Sequence, residues 1–178
     1  MRKLFLEYLI TQISENWESS ESNIITNKHL GNYTPRQNEW EQQRVERSPF
    51  TKQILIVDDN PDITITFKKA LEEENRNDNN RISFQVNAYN DPLLALIEFR
   101  PDFYDLMLVD INMPKMNGFE FSTRILELDV NPRICYMSSG LINQEALREQ
   151  YPTLSIGCFI KKPVTIEYLV GRVKAELE

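Results

Sequence analysis

From Gln53 onward, short apolar runs alternate with amphipathic stretches. Ile54-Leu55-Ile56-Val57 is a continuous run rich in β-branched residues, the pattern of a strand buried on both faces. Asn60-Pro61-Asp62 then supplies an N-cap, a proline for the first helical position and an acid for the positive end of a helix, and Ile63, Phe67, Ala70 and Leu71 fall on one face of it. The polar stretch Asn75 to Asn80 ends that helix. Ile82 to Ala88 predicts a second strand, and Asp91-Pro92 opens a second helix carrying Leu93, Leu94, Leu96 and Ile97. Leu106 to Val109 predicts a third strand, Gly118 to Leu128 a third helix with Phe121, Ile125 and Leu128 in step, and Ile134 to Met137 a fourth strand. A weaker helix spans Gln144 to Gln150, and Ile156 to Ile160 forms a fifth strand. Thr165 caps a last helix in which Ile166, Leu169, Val170, Val173 and Leu177 recur at helical spacing. Strict alternation of five strands with five helices predicts an α/β fold, a doubly wound parallel sheet with helices on both faces and right-handed crossovers.

The chain has 178 residues, which suits one domain of ordinary size plus an appendage. Residues 1–52 read as a flexible N-terminal tail, with a short helix over 4–13 as its one ordered candidate, and residues 53–178 as the folded domain. His29, the only histidine, lies in the polar tail without partners and is expected to be solvent-exposed. No apolar run approaches the roughly 20 residues of a membrane span, and the apolar segment after Leu4 lacks a small-residue cleavage site, so a cytoplasmic protein with no membrane association is expected.

Charge sharpens this picture. The net charge is -7, and residues 1–52 hold as many acidic as basic groups, so the excess belongs wholly to the folded part. That argues against direct nucleic-acid binding, which needs a basic face. Cys135 and Cys158 lie inside apolar segments and are expected to be free, buried thiols with no disulfide framework.

In open parallel sheets the functional site lies beyond the carboxyl ends of the strands. Asp58-Asp59 stands at the end of the first strand, Asp110 at the third, Ser138-Ser139 at the fourth and Lys162-Pro163 at the fifth. Clustered carboxylates repel one another unless a cation neutralises them, and all-oxygen ligation favours Mg²⁺. An aspartate cluster beside a lysine and a hydroxyl suits phosphoryl transfer. Asp59 or Asp91 alone could serve only as a helix cap, but capping leaves Asp110, Ser138 and Lys162 unexplained together.

Ile56-Val57-Asp58-Asp59, Asp110-Ile111-Asn112-Met113-Pro114-Lys115-Met116-Asn117-Gly118, Met137-Ser138-Ser139 and Lys161-Lys162-Pro163 together resemble the receiver domains of two-component response regulators, the CheY-like family. The resemblance covers roughly Gln53 to Glu178 and implies the flavodoxin-like strand order 2-1-3-4-5. It implies that Asp110 is the phosphoacceptor, attacking a phosphohistidine on a sensor histidine kinase or phosphotransfer protein. Asp59, Asp110 and the backbone carbonyl of Asn112 would hold Mg²⁺ directly, with Asp58 acting through a water. Lys162 and the Ser139 N–H would meet the phosphoryl oxygens. Ser138 matches the switch hydroxyl and Phe159 the switch aromatic, and Lys162-Pro163 would be a cis peptide. Gly118 is expected to supply a turn conformation, or merely to start a helix. Phe159 lacks the hydroxyl of the common tyrosine and Gly140 presents no side chain, which leaves the phosphoryl lifetime, and any autodephosphorylation, open.

Three rivals are weaker. A dehalogenase-type phosphatase would need a general acid at Asn112, which an amide cannot be. A degenerate scaffold would have lost an acid, the acceptor or the lysine. A flavin carrier would not set Asp58-Asp59 against a flavin phosphate. After Lys162 only about one helix follows, so the expectation is a single-domain response regulator, not an enzyme in the ordinary sense. Its output would pass through a downstream protein target, and a phosphorylation-dependent homodimer is compatible with it.

Overall fold

The computed structural model describes residues 48, 50–77, 82–141, 143–152, 154 and 158–178. All of these lie in the unit Glu46–Glu178. The expectations for the tail, for the helix over 4–13 and for His29 lie outside the described residues.

Five strands, β1 (Thr51–Val57), β2 (Ser83–Tyr89), β3 (Leu106–Asp110), β4 (Arg133–Ser138) and β5 (Cys158–Lys161), alternate with five helices. These are α1 (Pro61–Asn77), α2 (Pro92–Ile97), α3 (Gly118–Leu126), α4 (Gln144–Gln150) and α5 (Ile166–Leu177). All strand pairs are parallel, in the order β2-β1-β3-β4-β5. The predicted fold is therefore observed, with β1 and β3 adjacent at the point where the winding reverses.

Strand alternation divides the core between two faces. Ile54, Ile56, Leu106, Leu108, Met137 and Ile160 pack with Phe67 and Leu71 of α1 and Leu169, Val170 and Val173 of α5. On the other face Tyr136 meets Phe119 of α3, ring centres 4.6 Å apart, and Phe121 and Ile125 are fully buried. Helix starts follow the predicted caps Asn60, Asp91 and Thr165, and Asn143 adds one the sequence reading did not name. The Asn60 side chain accepts from the Asp62 N–H, Asp91 from the Leu93 N–H, Asn143 from Glu145 and Ala146, and Thr165 from Tyr168.

The cysteines depart from expectation. Cys135 and Cys158 are not free thiols but form a disulfide. They are register partners on adjacent parallel strands, with Cα atoms 4.5 Å apart, inside the span a disulfide bridges. Both residues are buried in an apolar environment, as the sequence pattern predicts, but such burial does not distinguish a lone thiol from one facing another.

Candidate functional site

Four strands deliver their ends to one edge of the sheet. Asp58 follows β1, Asp110 closes β3, Ser138 closes β4 and Lys162 follows β5. The Lys162 ammonium donates to Asp58 Oδ2 and to Asp110 Oδ1, both at 2.5 Å. Side-chain exposures of 1% for Asp58, 7% for Asp110 and 14% for Lys162 make this a desolvated group of ions. Its backbone is fixed independently, since the Lys162 N–H donates to the Ser138 carbonyl at 2.8 Å, and Lys162-Pro163 is cis as expected.

Burial pushes the Asp58 carboxyl above its ordinary range, against hydrogen bonds from Lys162 and from the Asn60 N–H. For Lys162, burial favours loss of the proton, but the bonds to Asp110 and Asp58 outweigh it and the net shift is upward. The ammonium is therefore charged throughout the neutral range. One positive charge faces two buried carboxylates here, with the exposed Asp59 beside them.

The loop between β3 and α3 is pinned at several points. The Asn112 N–H donates to Asp110 Oδ2 at 2.8 Å, the Ile111 N–H to the Met137 carbonyl, and the Gly118 N–H back to the Ile111 carbonyl. Met113 and Met116 are buried, and Lys115 between them adopts φ 70° to close the turn. Asn117 and Glu120 then form a capping box at the start of α3.

Gly118 has a role that neither sequence reading anticipated. No described glycine has positive φ, so it supplies no left-handed turn. A Cβ at this position would lie 2.2 Å from the Asp110 carbonyl oxygen and 3.0 Å from Val109 Cγ1, so α3 begins against the backbone of Asp110 itself. Gly118→Ala is expected to cost about 1–3 kcal/mol through overpacking against backbone that cannot yield. Urea denaturation measures this, and an unchanged midpoint would mean that the helix start moves freely.

The structure brings Asp58, Asp110 and Lys162 into direct contact and places Ser138 and Asn112 next to them. The Ser138 hydroxyl oxygen accepts from the Gly140 N–H at 3.1 Å. Asp59 and Ser139 remain exposed at the rim. Phe159 is half-buried, its ring 5.8 Å from that of Tyr136. Two supports escaped sequence reading. Asn90, after β2, donates to the Asp58 carbonyl at 2.9 Å and to the Thr64 hydroxyl at 2.8 Å, tying the β1–α1 loop to β2. Lys115 pairs with Asp91 at 2.7 Å and joins the loop after β2 to the loop after β3. Neither pairing has a local sequence signal, because each links loops brought together only by the fold.

A family model described as the response regulator receiver domain matches residues 54–174. The chain belongs to that family. Among curated proteins it is 28% identical over 121 residues to the sensor protein EvgS of Escherichia coli K12, covering 68% of this chain and 9% of that one. It is 31% identical over 124 residues to the transcriptional regulatory protein CpxR of the same strain, covering 70% of this chain and 48% of that one. The chain thus spans less than half the length of these relatives. Among solved structures, a CheY-like receiver domain protein from Methanospirillum hungatei is similar at TM-score 0.56 and 26% identity, covering 71% of this chain and 94% of that one.

Receiver domains are signalling modules of two-component systems that interact with histidine kinases or phosphotransfer proteins and bind Mg²⁺ at the phosphorylation site. The residues of this chain fit that ion. Every candidate ligand is an oxygen, the carboxylates outnumber the single ammonium, and the burial cost carried by Asp58 is the kind a divalent cation relieves. No helix among the described residues is long and apolar enough to cross a membrane.

Proposed function

We propose that this receiver accepts a phosphoryl group on Asp110 from a sensor histidine kinase or phosphotransfer protein, and that the resulting conformational change alters its affinity for a downstream protein. The observation that carries this reading is the bridge from Lys162 to Asp58 and Asp110, which sets an ammonium beside the two buried acids where a dianionic phosphoryl group would form.

In this reading an Asp110 carboxylate oxygen attacks the phosphorus of a phosphohistidine, the P–N bond breaks, and the imidazole leaves with the bonding pair. Asp110 Oδ2 is held by the Asn112 N–H, which orients the carboxylate for attack. Lys162 shifts its hydrogen bond from Asp110 Oδ1 to a phosphoryl oxygen, and the Ser139 N–H supplies a second donor. Asp59, Asp110 and the Asn112 carbonyl would hold Mg²⁺, with Asp58 assisting through water, and the ion would offset phosphoryl charge. Ser138 then leaves its bond with the Gly140 N–H to meet the phosphoryl group, and Phe159 moves into the space behind it. Hydrolysis of the aspartyl phosphate would reset the switch. The acidic balance supports output through proteins rather than direct nucleic-acid contact.

Incubation with a small phosphodonor and Mg²⁺, followed by intact-mass measurement, tests the reading. One phosphoryl group is expected, absent when a chelator is present and mapping to the peptide that contains Asp110. A gain insensitive to chelation, or mapping elsewhere, would overturn it.

A further inference from the structure

We propose that Cys135 and Cys158 form a reversible thiol–disulfide exchange site, reacting with low-molecular-weight thiols and disulfides of the glutathione class, whose redox state restrains the β4–β5 pair. The role assigned to those strands rests on the phosphorylation reading above.

Three observations carry the proposal. The two sulfurs are bonded across the last strand pair of the sheet, and β5 is a four-residue edge strand. Edge elements open locally at less cost than the whole domain unfolds, which gives a reagent access to sulfurs whose residues are otherwise 1% and 3% exposed. The Nε–H of Arg172 on α5 lies 3.4 Å from Cys158 Sγ, and the guanidinium is partly exposed and held by Glu176. A guanidinium beside sulfur favours the thiolate, the form that leaves and attacks in exchange. Finally, the bond sits three positions before Ser138 on β4 and one before Phe159 on β5, the two residues whose movement the switch requires.

The chemistry balances with glutathione as co-reactant. A glutathione thiolate attacks Cys158 Sγ, the protein S–S bond breaks, and Cys135 leaves as a thiolate that takes a proton. A second glutathione thiolate attacks the glutathione sulfur of the mixed disulfide and releases Cys158 as a thiolate beside Arg172, with one glutathione disulfide formed. The protein gains two electrons and two glutathiones lose them. Oxidation runs the same steps backwards, with glutathione disulfide as the oxidant.

The test uses the full chain, equilibrated without denaturant in glutathione buffers of varied ratio, quenched by alkylation and counted by mass. Two thiols are expected to appear and disappear together and reversibly. Arg172→Gln should slow oxidation by about threefold, since the smaller thiolate fraction is only partly offset by higher nucleophilicity. With the small phosphodonor, the oxidised protein should accept phosphate more slowly by about fivefold, the low end of couplings between distinct sites. Cys158→Ala should behave as the reduced protein in both buffers. A disulfide that survives excess reduced glutathione, or thiols that stay free in excess glutathione disulfide, would overturn the exchange site. Equal phosphorylation rates in both redox states would overturn the restraint. Reversible exchange without phosphoryl gain in either state would leave the exchange site standing and sink the Asp110 reading instead.

Discussion

Asp110→Asn is expected to abolish the phosphoryl gain while leaving the domain folded. The amide is nearly isosteric with the carboxylate, and its oxygen can still accept from the Asn112 N–H as Asp110 Oδ2 does at 2.8 Å. What it loses is the anionic nucleophile, for which a neutral amide offers no substitute in attack on phosphorus. Stability should move modestly, because the amide NH2 that replaces Oδ1 cannot accept from Lys162, while Lys162 keeps Asp58 as a one-to-one partner and one of two mutually repelling acids is gone. A change within about 1 kcal/mol in either direction is expected by urea denaturation. This separates chemistry from folding. A well-folded Asp110→Asn protein that still gains a Mg²⁺-dependent phosphoryl group would mean that another carboxylate is the acceptor, and Asp59 would be the first to replace next.

Much of the fold is legible in the sequence, for identifiable reasons. Ile54 to Val57 and Leu106 to Val109 read as strands because both faces of the central sheet are covered, so no polar residue interrupts the run. Strand ends are less legible. β1 begins at Thr51 because its ladder continues through polar pairs, with the Thr51 and Ser83 hydroxyls 3.0 Å apart and the Gln53 amide donating to Gln85 at 2.7 Å. Such pairs leave no trace in a hydrophobic pattern. The site residues are legible because chain topology alone places strand ends together, whereas the direct bridge from Lys162 to two acids depends on side-chain reach. The disulfide and the steric role of Gly118 were hidden for a related reason. Both depend on three-dimensional juxtaposition that no hydrophobic pattern records: Cys135 faces Cys158 across the register of β4 and β5, and Gly118 lies against the carbonyl of Asp110.

Lys162→Met should produce the largest loss of stability of any single change at the site, and a loss that depends on conditions in a diagnostic way. Methionine matches the aliphatic stem but not the charge, so Asp58 and Asp110 are left buried without the ammonium that bonds both. Breaking a buried ion group by removing one partner costs about 3–5 kcal/mol. The sign with pH follows from the carboxylates. Without Lys162 the Asp58 carboxyl, already pushed up by burial, rises further above its value in the unfolded chain, so the penalty is full at neutral pH and is relieved as pH falls and this acid protonates. Mg²⁺ should relieve it as well, because a cation that binds only the folded state stabilises by mass action, and the variant has no ammonium competing for the same oxygens. Urea denaturation at neutral and acidic pH, each with Mg²⁺ and with chelator, measures all three effects. A loss that is the same in every buffer would reduce Lys162 to a packing residue. A loss concentrated at neutral pH without metal, together with failure to gain phosphate even when Mg²⁺ restores stability, would assign the ammonium two separable tasks: compensating the acids at rest and meeting the phosphoryl oxygens during transfer.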